Sequence, residues 1–390
     1  MSNRSNSGNE SLEIFQKFLD PAEIGKVLGK GAFGEVRDVK FKGKTMAGKI
    51  IKKDGNVQTE EEKYSEELRG QNIIKINKIL QKKIGENYYS LIIMEKAVLR
   101  DLGKLNEFYF RHNLLKLIYN PFKKFTGDIF LRFYVRQIVN AIKTLDENYY
   151  VHYDLKLENL LMITNLIIKL SDFSILSKVK DGIFRIPGGT PGYLTPEYYI
   201  DREVTSENAR KQDYFALGSC IFQLKYGESF LKYKKNDDNK INAQKIFELL
   251  EQKINFILSN KLNDIDFIYF LIQLIQYRPK DRPTFDKIYR NKWLNKDSNH
   301  VNDSFQQFEA DEEKLIMEFQ KKDFLLVKES IIEKKVKEYI EKREKIEDTN
   351  KNKNKININK NTNQNKNKVP YLRKKFIFKK KIINQMFKPH

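Results

Sequence analysis

The sequence of 390 residues predicts an α+β fold, in which a small β-rich part precedes a larger and mainly helical part. Short β-type runs separated by glycines fill residues 24–51, and another strand-like run covers residues 88–95. Beyond residue 128 apolar residues recur at i, i+3, i+4 and i+7, for example from Ile138 to Leu145, which is the spacing of one helix face. With 40% hydrophobic side chains, the chain can bury a full core.

The N-terminal part divides into a leader, a meander and one helix. Residues 1–20 are polar and rich in Ser and Asn, so we expect a mobile leader that ends in a short helical turn around residues 12–19. An antiparallel meander is predicted over residues 24–51. The charged run over residues 60–68 favours a helix.

The C-terminal part shows further helical patterns at residues 213–226, 244–258 and 264–276. A charged amphipathic extension is predicted over residues 295–349. Residues 350–368 are a low-complexity run of Asn and Lys, for which we expect a disordered linker. Residues 369–390 form a tail in which basic and aromatic residues alternate.

The net charge of +21 would by itself suggest nucleic acid or an anionic membrane as a partner. Residues 350–390, however, hold 13 Lys and Arg and no Asp or Glu, which leaves only +8 on residues 1–349. More than half of the excess positive charge therefore lies in residues 350–390, and residues 1–349 are nearly balanced in charge. We keep contact of the 369–390 tail with an anionic membrane or nucleic acid as an accessory expectation.

Cys220 is the only cysteine, which excludes an intramolecular disulfide and a zinc site built on several thiolates. The N-terminus lacks an apolar core of signal-peptide length. We therefore expect an intracellular protein, in the cytoplasm, with the nucleus as the alternative.

Gly29, Gly31 and Gly34 form a GxGxxG motif between two predicted strands. The backbone N–H groups of such a loop can approach phosphate oxygens because no Cβ intervenes. A Rossmann unit would continue into a helix, and a Walker-type loop would need Gly-Lys-Ser/Thr, which this sequence lacks. A phosphate-binding loop between strands and an ordinary glycine hairpin remain as the two interpretations.

A second group of polar residues stands between aliphatic anchors in the segment HYDLKLEN, and DFS follows it closely. Asp154, Lys156 and Asn159 combine a proton acceptor, a cation and a metal-binding amide around one centre. Asp172 adds a second carboxylate that can hold Mg²⁺. A solvated charged loop would not require the aliphatic flanks.

The glycine loop is followed in order by AGK at 47–49, HYDLKLEN at 152–159, DFS at 172–174, GTPGYLTPE at 189–197, DYFALG at 213–218 and RP at 282–283. These motifs together resemble the eukaryotic protein kinase family, in its serine/threonine branch, from about Ile24 to Leu294. The resemblance implies a bilobal fold, with an N-terminal lobe over residues 21–96 and a C-terminal lobe over residues 97–294.

The resemblance also implies a nucleotide site for ATP. Its glycines would cover the phosphates, Met94 would be the gatekeeper, and the backbone of Glu95 and Ala97 would meet adenine. The complete set is Leu28, Gly29, Gly31, Gly34, Val36, Ala47, Lys49, Met94, Glu95, Ala97 and Leu161.

The catalytic roles follow from the same resemblance. Asp154 would orient the substrate hydroxyl and accept its proton, and Lys156 would steady the γ-phosphoryl group. Asn159 and Asp172 would hold Mg²⁺.

Lys49 would contact the α- and β-phosphates while paired with a helix carboxylate. Counting along the chain favours Glu61 as that carboxylate, with Glu60 and Glu62 left open.

Tyr153 and Ser174 depart from the family pattern, Thr195 replaces an alanine as a milder change, and one ion pair is expected. Tyr153 replaces the arginine that would receive a phosphorylated activation loop, so we expect activity that does not require this phosphorylation. Ser174 replaces a glycine and restricts a pivot of the loop. Glu197 and Arg282 should form a buried ion pair.

The sequence thus predicts an ATP- and Mg²⁺-dependent protein serine/threonine kinase. The alternative is a pseudokinase scaffold that keeps the fold and acts by binding. The protein substrate, its consensus site, upstream regulation and the oligomeric state stay open at this point.

Overall fold

The computed structural model describes residues 3–31, 34–98, 100–111, 126–163, 167–200, 202–231, 243–260 and 264–296. These residues form two compact units. The first contains the described residues of 1–106, 133–250 and 273–290, and with them all the motifs above; the second contains the described residues of 107–132, 251–272 and 291–296.

The predicted fold class is confirmed, since a five-stranded antiparallel sheet precedes a mainly helical part. The N-terminal elements are α1 (Asn3–Gln16), β1 (Ile24–Gly31), β2 (Gly34–Phe41), β3 (Lys44–Lys53), α2 (Glu60–Glu67), β4 (Ile76–Ile84) and β5 (Asn87–Met94). The spatial strand order is β1-β2-β3-β5-β4. Strand β3 therefore lies at the centre of the sheet.

The leader contains a longer helix than its composition suggests. Helix α1 covers Asn3–Gln16, so it is much longer than the turn expected around residues 12–19. Phe15 is fully buried in a cluster with Ile50 and Leu91 of the sheet. Because one sheet face would otherwise expose apolar side chains to water, covering it stabilises the helix.

The helical part begins with α3 (Leu102–Arg111) and α4 (Thr126–Glu147). Short strands follow: β6 (Tyr150–Val151), β7 (Leu160–Met162), β8 (Ile168–Leu170), β9 (Ser177–Lys178), β10 (Ile183–Arg185) and β11 (Glu203–Thr205). The remaining helices are α5 (Pro196–Ile200), α6 (Ser206–Tyr226), α7 (Ala243–Ser259), α8 (Ile265–Leu274) and α9 (Phe285–Tyr289). The short strands pair as β6 with β9, β7 with β8, and β10 with β11.

Helix α6 begins seven residues before the predicted pattern, at Ser206. Thr205 caps it by accepting a hydrogen bond from the backbone N–H of Asn208, and Gly227 ends it in a left-handed conformation. The helix is buried on most sides, which hides the one-sided periodicity that marks a surface helix.

The second unit is organised around Trp293, which is fully buried. Its ring lies 5.1 Å from that of Phe267 and stacks at 5.5 Å on that of Phe270. The Arg132 guanidinium lies 5.8 Å from the Trp293 ring centroid.

Apart from Asn295 and Lys296, the predicted extension over residues 295–349 lies outside the described residues, as do the 350–368 linker and the 369–390 tail. The domain boundaries at residues 20, 96 and 294 stay predictions. None of the described helices has both the length and the apolar character that a membrane crossing requires.

Candidate active site

The carboxylate of Asp154 is the centre of a compact polar cluster. Its Oδ2 accepts a hydrogen bond from Lys156 Nζ at 2.6 Å, and its Oδ1 accepts one from Thr190 Oγ1 at 2.6 Å. Lys156 Nζ also donates to Thr190 Oγ1 at 2.7 Å. Asn159 Nδ2 donates to the backbone carbonyl of Asp154 at 2.8 Å and to its Oδ2 at 3.2 Å. Asp154 is thereby fixed in orientation by charged and neutral donors.

The backbone before Asp154 is held by a buried carboxylate on helix α6. Asp213 Oδ2 accepts from the backbone N–H of His152 at 2.7 Å, and its Oδ1 accepts from that of Tyr153 at 3.0 Å. Tyr153 has a φ of +63°, which non-glycine residues rarely adopt. Complete burial raises the pKa of Asp213 to about 7, although the two backbone donors oppose this shift. The strained residue therefore depends on a carboxylate far away in the sequence.

His152 serves this loop as a packed, neutral side chain. Its Nε2 lies 3.0 Å from the carbonyl oxygen of Ser171, and its ring meets that of Phe173 edge to face at 5.5 Å. Burial lowers the pKa of His152. The imidazole therefore links the loop that carries Asp154 to the segment that carries Asp172.

Lys49 on β3 connects the sheet, helix α2 and Asp172. Its Nζ lies 2.7 Å from Glu61 Oε2 and 2.9 Å from Asp172 Oδ1. Burial opposes the positive charge, but the two carboxylates outweigh it and raise the pKa of Lys49. Burial likewise acts to raise the pKa of Asp172, yet the Lys49 cation holds it below the ordinary value. Both groups are therefore charged at neutral pH.

The structure gives Glu61 as the helix partner of Lys49. Consecutive helical residues point about 100° apart, so neighbouring glutamates cannot reach the same lysine. Glu62 is buried on a different side of the helix and pairs with Lys53. The side chain of Glu60 lies outside the described residues.

The glycine motif forms the β1–β2 hairpin, with Gly29 and Gly31 in β1 and Gly34 at the start of β2. Gly34 has a φ of +138°, and a Cβ there would lie 1.9 Å from the carbonyl oxygen of Ile50. Only glycine fits this approach of the hairpin to β3. Leu28 is 40% exposed beside the motif.

The other predicted nucleotide contacts lie on the five-stranded sheet, in the segment after β5 and, for Leu161, on β7. Ala47 and Met94 are buried and directly paired across β3 and β5. Val36, Ala97 and Leu161 are half-buried.

The side chain of Glu95 forms hydrogen bonds with two other segments of the chain. Its Oε1 accepts hydrogen bonds from the Lys75 backbone N–H and from Lys169 Nζ, each at 2.6 Å. The carboxylate thus ties the segment after β5 to the loop before β4 and to β8.

The residues predicted to hold Mg²⁺ supply the hard oxygen ligands that this ion prefers. Asp172 offers a carboxylate with lowered pKa. Asn159 uses its amide nitrogen on Asp154, so that its amide oxygen is not needed for that contact. Within the described residues no group of three or more His, Cys, Asp or Glu could hold a metal alone. This donor set fits Mg²⁺, which takes few protein ligands and completes its shell with phosphates and water.

The predicted ion pair between Glu197 and Arg282 is present and buried. Arg282 Nη1 lies 2.6 Å from Glu197 Oε1, and its Nη2 lies 2.8 Å from Oε2, in a bidentate arrangement. Gln212 Nε2 also donates to Glu197 Oε1 at 2.6 Å. The pair joins the end of the 189–197 segment to the loop before α9.

Three residues take part in the site in ways that were not predicted from the sequence. Thr190 donates directly to Asp154, Asp213 holds the backbone before Asp154, and Glu62 anchors helix α2. Asp213 and Thr190 stand in recognised motifs, so their motif positions were the available signal. For Glu62 the signal was a Thr followed three residues later by Glu, which is the capping-box pattern.

Comparison with known proteins agrees with these features. The family described as Protein kinase domain matches residues 22–294. Aurora kinase of Saccharomyces cerevisiae is 29% identical over 293 residues, which cover 73% of this chain and 72% of that protein. Aurora kinase of Eremothecium gossypii is 27% identical over 298 residues, 75% of this chain and 74% of that protein. Human serine/threonine-protein kinase MRCK alpha is 33% identical over 215 residues, 53% of this chain, and the chain spans only 12% of its length.

Proposed function

The chain belongs to the protein kinase family, and from this we propose that it is an active enzyme that transfers the γ-phosphoryl group of ATP to serine and threonine hydroxyls of proteins. The observation that carries the proposal is the cluster around Asp154. Its carboxylate faces a hydroxyl of this same chain, Thr190 Oγ1, at 2.6 Å. A substrate hydroxyl is an equivalent donor for the same carboxylate.

In the proposed reaction the substrate oxygen forms a bond to the γ-phosphorus while the bond from that phosphorus to the β–γ bridging oxygen breaks. The hydroxyl proton passes to Asp154. Lys156, next to that carboxylate, offsets negative charge on the transferred group. Lys49, held by Glu61, binds the phosphates of the bound nucleotide. Mg²⁺ held by Asn159 and Asp172 would neutralise phosphate charge when bound.

Specificity for serine and threonine rests on two supports. The first support is MRCK alpha, which is similar to 53% of this chain and is named a serine/threonine-protein kinase. Lys156 and Thr190, which characterise this branch of the family, contact each other at 2.7 Å beside Asp154. We propose intracellular protein substrates and a cytoplasmic location. We also propose that the basic 369–390 tail contacts an anionic membrane or nucleic acid as an accessory function.

The function is tested by phosphoryl transfer from labelled ATP to a generic protein such as casein or myelin basic protein. We expect incorporation that requires Mg²⁺, is abolished by EDTA and falls by about 10²-fold or more in Lys49→Met, because that variant loses the cation on the phosphates. The matched control is Lys52→Met, an exposed lysine on the same strand. A wild-type protein that binds nucleotide but transfers no label would favour the pseudokinase scaffold.

Activity should not depend on phosphorylation of the segment between Asp172 and Glu197. Tyr153 is buried at the position expected for a phosphate-binding arginine, and it packs in an apolar cluster with Val179 and Ile186 of that segment. Pairing of β10 with β11 adds backbone hydrogen bonds to the same segment. These contacts supply the order that a phosphate–arginine contact provides elsewhere.

We therefore expect protein stripped of phosphate by a broad phosphatase to keep its turnover to within about twofold. Mass spectrometry establishes that the phosphate has been removed, and an assay with heat-killed phosphatase is the control. Loss of most of the activity after genuine dephosphorylation would show that this segment needs a phosphate.

A further inference from the structure

Glu62 is a carboxylate that the proposed reaction does not use, and it is 1% exposed. Its Oε1 accepts hydrogen bonds from Ser90 Oγ on β5 and from Gln81 Nε2 on β4, the latter at 2.9 Å. Its Oε2 lies 3.3 Å from Lys53 Nζ on β3. One side chain of helix α2 thus meets three neighbouring strands.

These partners stand on the face of the sheet that also carries Lys49. Lys49 and Lys53 are four residues apart on β3, and side chains of a strand alternate between its two faces. Ser90 is paired with Gln81 and with the residue between the two lysines. The same face therefore presents two lysines, and each forms an ion pair with one glutamate of α2: Lys49 with Glu61, and Lys53 with Glu62.

Glu62 also fixes the first turn of α2. Its Oε2 accepts from the backbone N–H of Thr59 at 2.5 Å, while Thr59 Oγ1 accepts from the backbone N–H of Glu62 at 3.2 Å. This reciprocal capping box sets the residue at which the helix begins. The starting residue in turn sets the direction in which Glu61 points.

The helix is too short to hold this position by itself. It spans only eight residues, Glu60–Glu67, and isolated helices of that length are unstable in water. Its last turn is anchored by Glu67, which accepts hydrogen bonds from the Tyr150 hydroxyl and, at 3.2 Å, from Lys178 Nζ. The first turn, next to Glu61, depends on Glu62. Burial acts against ionisation of Glu62, but Ser90, Thr59, Gln81 and Lys53 together lower its pKa.

We propose that Glu62 is a positioning residue for phosphoryl transfer, which holds the first turn of α2 on the sheet so that Glu61 stays against Lys49. The inference rests on the proposed function, because the expected effect of losing Glu62 is measured as a change in the kinetics with ATP. Glu62 acts through Glu61 and touches neither the nucleotide nor the substrate.

The test is a double-mutant cycle of Glu62→Gln and Glu61→Gln. The readouts are kcat and KM for ATP, with the affinity for ADP·Mg²⁺ by calorimetry. Glu62→Gln keeps the size of the side chain but removes the charge opposite Lys53. We expect kcat/KM for ATP to fall about tenfold, which is the order of one lost charge-assisted contact. In the Glu61→Gln background the same change should cost less than about twofold.

Glu86→Gln, in the exposed turn between β4 and β5, is the matched control and should leave both constants unchanged. If Glu62→Gln does not fold, Ser90→Ala removes one donor to Glu62 without leaving a charge unpaired. We then expect a smaller loss of kcat/KM for ATP, which again largely disappears in the Glu61→Gln background. All assays are run well below the melting temperature of each variant.

The outcomes separate the inference from the function on which it rests. Suppose that the wild type is active and that the losses of kcat/KM from Glu62→Gln and Glu61→Gln multiply independently in the double variant. Glu62 would then have a general structural role only, and the inference would be overturned while the proposed function stands. Wild-type kinetics retained in Glu62→Gln would overturn it equally. A wild type that transfers no phosphate would overturn both.

Discussion

Replacing Asp154 by Asn should lower kcat by about 10²–10⁴-fold while changing KM for ATP little, because Asn has the same shape but cannot accept the substrate proton. The Asp154 carboxylate accepts from Thr190 and Lys156, each at 2.6 Å. An amide in its place keeps one acceptor and turns its nitrogen towards one of these donors. The substitution thus removes the proton acceptor and disturbs the orientation of Lys156.

The measurement is steady-state transfer to a generic substrate, with ADP·Mg²⁺ affinity as a check that the nucleotide site is intact. Asp181→Asn is the matched control, since Asp181 is an exposed aspartate in the segment between Asp172 and Glu197. It should keep wild-type rates. If Asp154→Asn retained more than about a tenth of wild-type turnover, general base catalysis by Asp154 would be excluded.

Replacing Arg282 by Leu should lower the free energy of unfolding by about 3–5 kcal/mol, because it leaves the Glu197 carboxylate buried without its charged partner. Arg282 is 2% exposed and Glu197 is 7% exposed. The guanidinium also donates to the backbone carbonyls of Lys211 and Gln276, so three chain segments lose a shared partner. Since a single domain has roughly 5–15 kcal/mol of stability in total, this loss is large.

Urea unfolding monitored by tryptophan fluorescence and by circular dichroism measures this change. Arg290→Leu is the control, because Arg290 pairs with Asp286 on the surface and its removal should cost less than about 1 kcal/mol. The double variant Glu197→Leu, Arg282→Leu should lose less stability than Arg282→Leu alone, since no buried charge is left unpaired. A single variant as stable as the control would show that the pair does not brace this part of the fold.

The sequence was most informative where chemistry is local. Residues such as Asp154, Lys156 and Asn159 lie within six positions, so spacing alone brings them to one loop. The order of the motifs then links this loop to Lys49 and Asp172, which the structure holds 2.9 Å apart. The composition of the candidate site was implied by the family resemblance that these short motifs carry.

Long-range packing was the part that sequence patterns did not reveal. The composition of the N-terminal residues suggests disorder. Phe15, within helix α1, is nevertheless fully buried against the sheet. Counting along the chain favoured Glu61 as the partner of Lys49 but left Glu60 and Glu62 open, because the choice depends on a helix start that is set by Thr59. The contact of Asp213 with the backbone of Tyr153 spans 60 residues. Such contacts depend on tertiary structure, which single-sequence periodicity does not encode.

The most direct test of the central claim is phosphoamino acid analysis of a generic protein labelled by the purified wild-type chain with γ-labelled ATP and Mg²⁺. The account predicts label on serine and threonine, at a rate well above that of Asp154→Asn. Label on tyrosine alone, or no transfer above that of Asp154→Asn by a folded protein that binds ADP, would contradict it.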